Sequence, residues 1–232
     1  LGWRHCMRAR LVLVATAAFA AAPAHPGQAA APGGADERRL TVFYTGSTHG
    51  ALEPCGCTSD PLGDVARLAT VVRAAKAERR AGVLLVDAGN MSYPPGGIPG
   101  ARREVAALKA KFLAEELGRL GLAGAALGET DVTLGAGAVR PKRLAANLRG
   151  GEAVTEPSKI VTAGNVRVGI FGITGAAAAE ILGARASDPA AAAAAEAERL
   201  RKQGAEIVIA LAAVDRPAAR KVARAGGVDV VV

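Results

Sequence analysis

Two thiols and an imidazole stand close together in GSTHGALEPCGCTSD, residues 46–60, of a chain that holds three cysteines and three histidines in all. Cys55 and Cys57 are separated only by Gly56, with His49 shortly upstream. Three chemistries suit such a cluster. The first is thiol redox. Side chains at i and i+2 of an extended segment face the same way, and Gly56 lets the backbone bend. A disulfide closed over one residue is strained, and strained disulfides exchange readily, whereas so short a loop gains little closure entropy. A protonated His49, or Arg67 nearby, would raise the thiolate fraction. The second is a soft-metal site, in which His49, Cys55, Cys57 and Glu53 offer nitrogen, sulfur and oxygen ligands for zinc or copper. The third is an inert disulfide that shapes a loop, with His49 hydrogen-bonded in place.

The compartment bears on that choice. A basic run, Met7 to Arg10, precedes the uncharged apolar stretch LVLVATAAFAAA (11–22) and small residues around Ala22-Pro23-Ala24. This is the three-part pattern of a secretory signal, and it is shorter than the roughly 20 residues that a membrane span needs. Residues 1–24 are therefore expected to be a signal peptide and 25–39 an Ala/Pro/Gly-rich linker, with a folded domain over 40–232 in the periplasm or outside the cell. Cleavage would remove Cys6, leaving Cys55 and Cys57 as the only cysteines, where disulfides persist. No integral membrane domain is expected. The net charge is +8, but aromatic residues make up only 3%, and the cations are spread along helices, so nucleic acid is not an expected partner. An envelope redox partner or a small phosphorylated ligand is.

Strands and helices alternate along the domain. LTVFYT (40–45) and GVLLVDAG (82–89) are short apolar runs. Helical spacing of apolar residues covers Val65 to Arg80 and Glu104 to Leu120. Gly121 to Leu127 reads as a third strand and Arg143 to Leu148 as a fourth. Lys159 to Thr162 and Val166 to Ile173 flank a Gly164-Asn165 turn, a hairpin signal. Asp188 before Pro189 opens an alanine-rich helix to Gln203. Strand, helix and strand follow over Glu206 to Ala212, Arg216 to Ala225 and Val228 to Val232. Such alternation predicts an α/β sheet with helices on its faces. Ligands in such folds gather at the carboxyl ends of strands, which here are Ser47–His49, Asp87–Asn90, Gly128–Asp131 and Ala212–Asp215. No phosphate-binding Gly-x-x-x-x-Gly-Lys occurs, and no Ser/His/Asp triad is supportable beyond His49.

YTGSTHGALEP, LLVDAGN, AALGETD, LAANL, KIVTAGNVRVGIFGITG and AEIVIALAAVD, followed by GGVDVVV, resemble in order the framework segments of calcineurin-like metallophosphoesterases, in their periplasmic 5′-nucleotidase branch. The resemblance covers most of residues 40–232. It implies a layered fold of central mixed sheets flanked by helices, truncated at the C-terminus before a final G-H-T-H loop. It also implies a site in which two divalent metals clamp a phosphate and activate a water. Several family positions are substituted. The first aspartate is Ser47, whereas His49 is kept. The aspartate that bridges the metals is Asn90. The ligand asparagine is Glu129, the histidine that assists the leaving group is Thr130, and a later ligand histidine is Ala213. The pattern GETDVTLG, together with LEPCGCTSDPLGDVARLAT, is similar to UshA-like (seleno)proteins, which carry L-E-P-C-G-C or its selenocysteine counterpart. The resemblance therefore implies a degenerate dinuclear site, with thiol redox or thiol–imidazole metal handling at Cys55 and Cys57. Residual phosphoester or nucleotide hydrolysis and a non-catalytic envelope binding module are the alternatives. No cofactor is required by the residues; a single zinc, copper or manganese ion, held by the first loop or by Glu129, Asp131 and Asp87, is compatible with them.

Overall fold

Alternation within three strands dictates the layers. In the strand β2 (Gly82–Asp87), Leu84 and Val86 point one way and Leu85 the other. In β8 (Val166–Thr174), Val168 and Ile170 share a face opposed to Phe171 and Ile173, and in β10 (Ile207–Ala213) Ile209 and Leu211 oppose Val208 and Ala210. Leu84, Val86, Val168, Ile170, Ile209 and Leu211 meet in one buried cluster, so two sheets pack face to face. The outward sets are covered by helices. The result is a four-layer helix–sheet–sheet–helix arrangement, as expected for strands that are apolar on both faces.

This computed structural model describes residues 39–54, 56, 63–78, 82–151 and 153–232, which fall within one compact unit. The expected signal peptide, most of the linker, and Cys55 and Cys57 lie outside the described residues.

The first sheet has the order β1 (Leu40–Thr45), β2, β3 (Leu122–Ala125), all parallel. Helices α1 (Val65–Ala77) and α2 (Arg103–Arg119) supply Val72, Leu113 and Leu117 to its outer face. The second sheet is mixed, with the order β11 (Val230–Val231), β10, β8, β7 (Ser158–Ala163), and only the β7–β8 hairpin is antiparallel. Its outer face packs on α4 (Pro189–Lys202) through Ala193, Ala197 and Leu200 and on α5 (Arg216–Ala223) through Val222. Ala193 and Ala197 are thus core residues that let helix and sheet approach closely.

The expected fourth strand, Arg143 to Leu148, is split. Arg143–Leu144 (β4) pairs with Thr155–Glu156 (β6), whereas Leu148–Arg149 (β5) pairs with Arg185–Ala186 (β9). The break falls at Asn147, whose buried side chain replaces a ladder contact: Nδ2 donates to the Thr174 carbonyl at 2.9 Å and Oδ1 accepts from the Thr174 N–H at 2.8 Å. A short helix, α3 (Ala176–Ile181), follows β8 and is invisible to apolar spacing because it is mostly alanine.

Candidate functional site

The carboxyl ends of β1, β2, β3 and β10 converge. Ser47, Asn90, Glu129 and Ala213 line one cleft of about 690 Å³, together with the first residues of α3, α4 and α5. Backbone bonds hold its floor. Ser47 N donates to Gly89 O at 2.9 Å, His49 N to Asn90 O at 3.0 Å and Gly50 N to Met91 O at 2.8 Å. This zipper runs through left-handed conformations at Ser47 (φ 53°), His49 (φ 52°) and Asn90 (φ 57°). Left-handed backbone at non-glycine residues costs free energy and persists where surrounding contacts over-determine it.

On the side of Asn90, those contacts come from Asp131. Its Oδ2 accepts from Asn90 N at 3.0 Å and Gly128 N at 2.9 Å, and its Oδ1 accepts from Ser92 N at 2.9 Å and Ser92 Oγ at 2.8 Å. Arg143, like Asp131 fully buried, places its guanidinium 3.6 Å from Oδ1 and donates to Ser92 Oγ at 3.1 Å. Gly128 is required beside them, since a Cβ there would stand 2.4 Å from Asn90 N. Asn90 Oδ1 in turn accepts from Thr130 N at 3.0 Å and from Thr130 Oγ1 at 3.3 Å. His49 Nδ1 lies 3.0 Å from the Tyr93 carbonyl. A carbonyl only accepts, so Nδ1 carries the proton and Nε2 is left as the acceptor nitrogen. His49 borders a separate cavity, with Ser92 and Ile98, rather than the cleft. Glu53 borders a third, apolar one together with Pro54, Gly63 and Arg67.

These strand-end positions and the four-layer order can be set against known proteins. No family model and no curated protein matches the chain. Among solved structures, the 5′-nucleotidase precursor of Thermus thermophilus superposes with a TM-score of 0.69 at 27% identity, over 83% of this chain and 40% of that one. The calcineurin-like phosphoesterase YfkN of Bacillus subtilis superposes with a TM-score of 0.60 at 15% identity, over 83% and 70%. This chain has the calcineurin-like phosphoesterase fold. The NAD nucleotidase of Haemophilus influenzae shares it, with a TM-score of 0.64 at 16% identity, over 83% of this chain and 37% of that one. The chain thus spans about two fifths of the length of the two nucleotidases.

The two-metal group of calcineurin-like phosphoesterases does not fit the residues present. Asn90, which the sequence resemblance sets where a bridging aspartate is expected, is neutral, and its amide oxygen is taken up by Thr130. The expected single-metal set of Glu129, Asp131 and Asp87 is not assembled either. Asp131 is saturated by backbone and hydroxyl donors, and Asp87 is fully buried, with Oδ2 accepting from Thr45 Oγ1 at 2.7 Å and Oδ1 from Gly89 N at 2.8 Å. Glu129 alone faces the cleft. Among the described residues, no three His, Cys, Asp or Glu side chains stand close enough to hold a metal ion. The first-loop set of His49, Glu53, Cys55 and Cys57 includes two residues outside the described ones.

Asp87 gives a titration signature. Burial, opposed by its bonds from Thr45 and Gly89 and reinforced by the charge of Asp131, raises its pKa above the ordinary 3.8. The native carboxyl keeps its proton to higher pH than the unfolded one, so stability falls as pH rises from 3.8 through the raised native value. Asp87→Asn can keep both contacts, accepting from Gly89 N and donating to Thr45 Oγ1. Its stability relative to wild type is expected to rise with pH across that window, measured from urea midpoints. A difference flat with pH would contradict this.

Sequence reading missed Arg143, which looks like a surface cation in PKRLAANL, and the partnership of Ser92 with Asp131. Its one signal is the apolar setting of LAANL. Asp188, read as a helix start, and Asp215, read only as a strand end, both cap helices, with Ala191 N and Ala218 N each donating at 2.8 Å, and both also line the cleft.

Proposed function

We propose that this chain is an exported phosphoesterase-fold protein that has given up two-metal hydrolysis and works by thiol–disulfide exchange at Cys55 and Cys57. The observation that carries this reading is the state of Asn90, whose amide oxygen is bonded to Thr130 where a metal-bridging carboxylate would be needed. The Cys-Gly-Cys spacing supports the thiol chemistry, as does the likeness of LEPCGC to UshA-like (seleno)proteins. The basic, apolar and small-residue order of residues 7–24 supports export. No helix among the described residues is long and apolar enough to cross a membrane.

In the exchange, a thiolate of an envelope partner dithiol attacks the strained Cys55–Cys57 disulfide, forming a mixed disulfide and releasing one of the two cysteines as a thiol. The partner's second thiolate then displaces the other cysteine. Two electrons pass from the partner, which is left with a disulfide, and Cys55 and Cys57 are left reduced. A strained pair is expected to titrate above the roughly −300 mV typical of structural disulfides. Equilibration in glutathione buffers, read by alkylation and mass spectrometry, checks this. A pair locked in one state across the range would remove the thiol reading.

A further inference from the structure

The cleft and the cavity beside His49 carry opposite charge. The ionisable residues lining the cleft are Glu129, Asp188 and Asp215, all acids. The second cavity, of about 540 Å³, is bordered by His49, Arg102 and Lys109 and by no acid. A phosphate-sized anion without a metal is repelled by the first and attracted by the second.

The second cavity is built by one stripe of a helix against two loops. Arg102, Val105, Ala106 and Lys109 recur at helical spacing on its wall, facing Gly50 and Ala51 on one side and Pro94, Ile98 and Pro99 on the other. Positions seven apart on a helix are separated by about 10 Å along its axis, a span that two long cationic side chains can close around one anion. Neither cation has an acid three or four residues away to pair with, and neither makes an ion pair among the described residues. Elsewhere on α2, Lys111 and Arg119 bridge to Glu115, and Arg119 also to Glu116. His49, whose Nδ1 is committed to Tyr93 O, also borders the cavity. Ile98 and Val105 add apolar surface. A cavity of this size, mostly apolar with a few convergent polar groups, suits a small organic ligand.

We propose that this cavity is a binding site for a small organic anion, with its oxyanion head between Arg102 and Lys109 and its apolar body against Ile98 and Val105. The guanidinium offers paired donors and the ammonium a point charge, the combination that recognises phosphate or carboxylate oxygens. The site shares no lining residue with the cleft.

Phenyl phosphate, benzoate and inorganic phosphate are the probes, titrated into the full chain by calorimetry and by amide NMR. Phenyl phosphate or benzoate is expected to saturate more tightly than inorganic phosphate, with shifts concentrated at Gly97, Ile98, Val105 and Ala106; which of the two binds better decides the head group. Arg102→Ala with Lys109→Ala should weaken binding at least tenfold, and Lys109→Glu alone should do so too. Both side chains are exposed, and an unchanged circular dichroism spectrum confirms that each variant folds. Absence of saturation at millimolar ligand, unchanged affinity in folded variants, or shifts centred on residues 212–218 would each overturn the proposal.

Discussion

Asp131→Ala is expected to destabilise the protein by at least about 3–5 kcal/mol, the usual cost of stranding one partner of a buried ion pair. The substitution leaves Arg143, fully buried, without its counter-charge. It also strips the acceptor from the buried Ser92 N and Gly128 N and from the partly buried Asn90 N, and each buried unsatisfied donor adds about 1–3 kcal/mol. Against a total stability of about 5–15 kcal/mol, the variant should be marginally folded or unfolded at 25 °C. Urea denaturation followed by circular dichroism measures it. A second variant separates the two contributions. Asp131→Ala combined with Arg143→Met removes the stranded charge, and replacing a whole buried pair by apolar groups is often neutral. Here it should recover only part of the loss, because the three N–H groups remain unsatisfied. Full recovery would mean that Asp131 serves the arginine alone. A loss below about 1 kcal/mol in the single variant would mean that the 89–92 loop does not depend on this carboxylate.

That dependence explains why the fold was more legible than the site. β2, β8 and β10 are apolar on both faces because each lies between a facing sheet and a helix layer, so they stand out as continuous runs. The helices α1, α2 and α4 carry either apolar spacing or a capping aspartate with proline. The strand-end rule then brings Ser47, Asn90, Glu129 and Ala213 to one cleft. What sequence cannot display is where a side chain spends its hydrogen bonds. Asp131 looks like a free carboxylate in GETD, yet it faces inward onto backbone N–H groups, as does Asp87 at the end of its strand. Asn147 reads as part of a strand, yet it ends one by copying a peptide's donor and acceptor. The left-handed conformations at Ser47, His49 and Asn90 follow from loop closure between β1 and β2, which no local spacing reports. The charge segregation between the two cavities is likewise a property of the assembled surface.

With added manganese, the purified chain is expected to hydrolyse nitrophenyl phosphate and 5′-AMP no faster than buffer. The contrast should be large, because enzymes accelerate phosphate monoester hydrolysis by factors reaching ~10²¹, and a small fraction of that is measurable. Two-metal catalysis needs a bridging anion to hold two cations a few ångströms apart. Position 90 offers a neutral amide turned to Thr130. Chain beyond Val232 could add ligands but not this one, which lies inside the described fold. Asn90→Asp alone should not restore turnover. The new carboxylate would accept the same Thr130 N–H and hydroxyl, while Ser47 and Ala213 still supply neither charge nor imidazole to the cleft. Metal-dependent hydrolysis that disappears in both His49→Ala and Glu129→Ala, with each variant folded, would overturn this expectation. It would also show that the cleft assembles a metal site from residues that the static arrangement keeps apart, since Glu129 faces the cleft and His49 the neighbouring cavity.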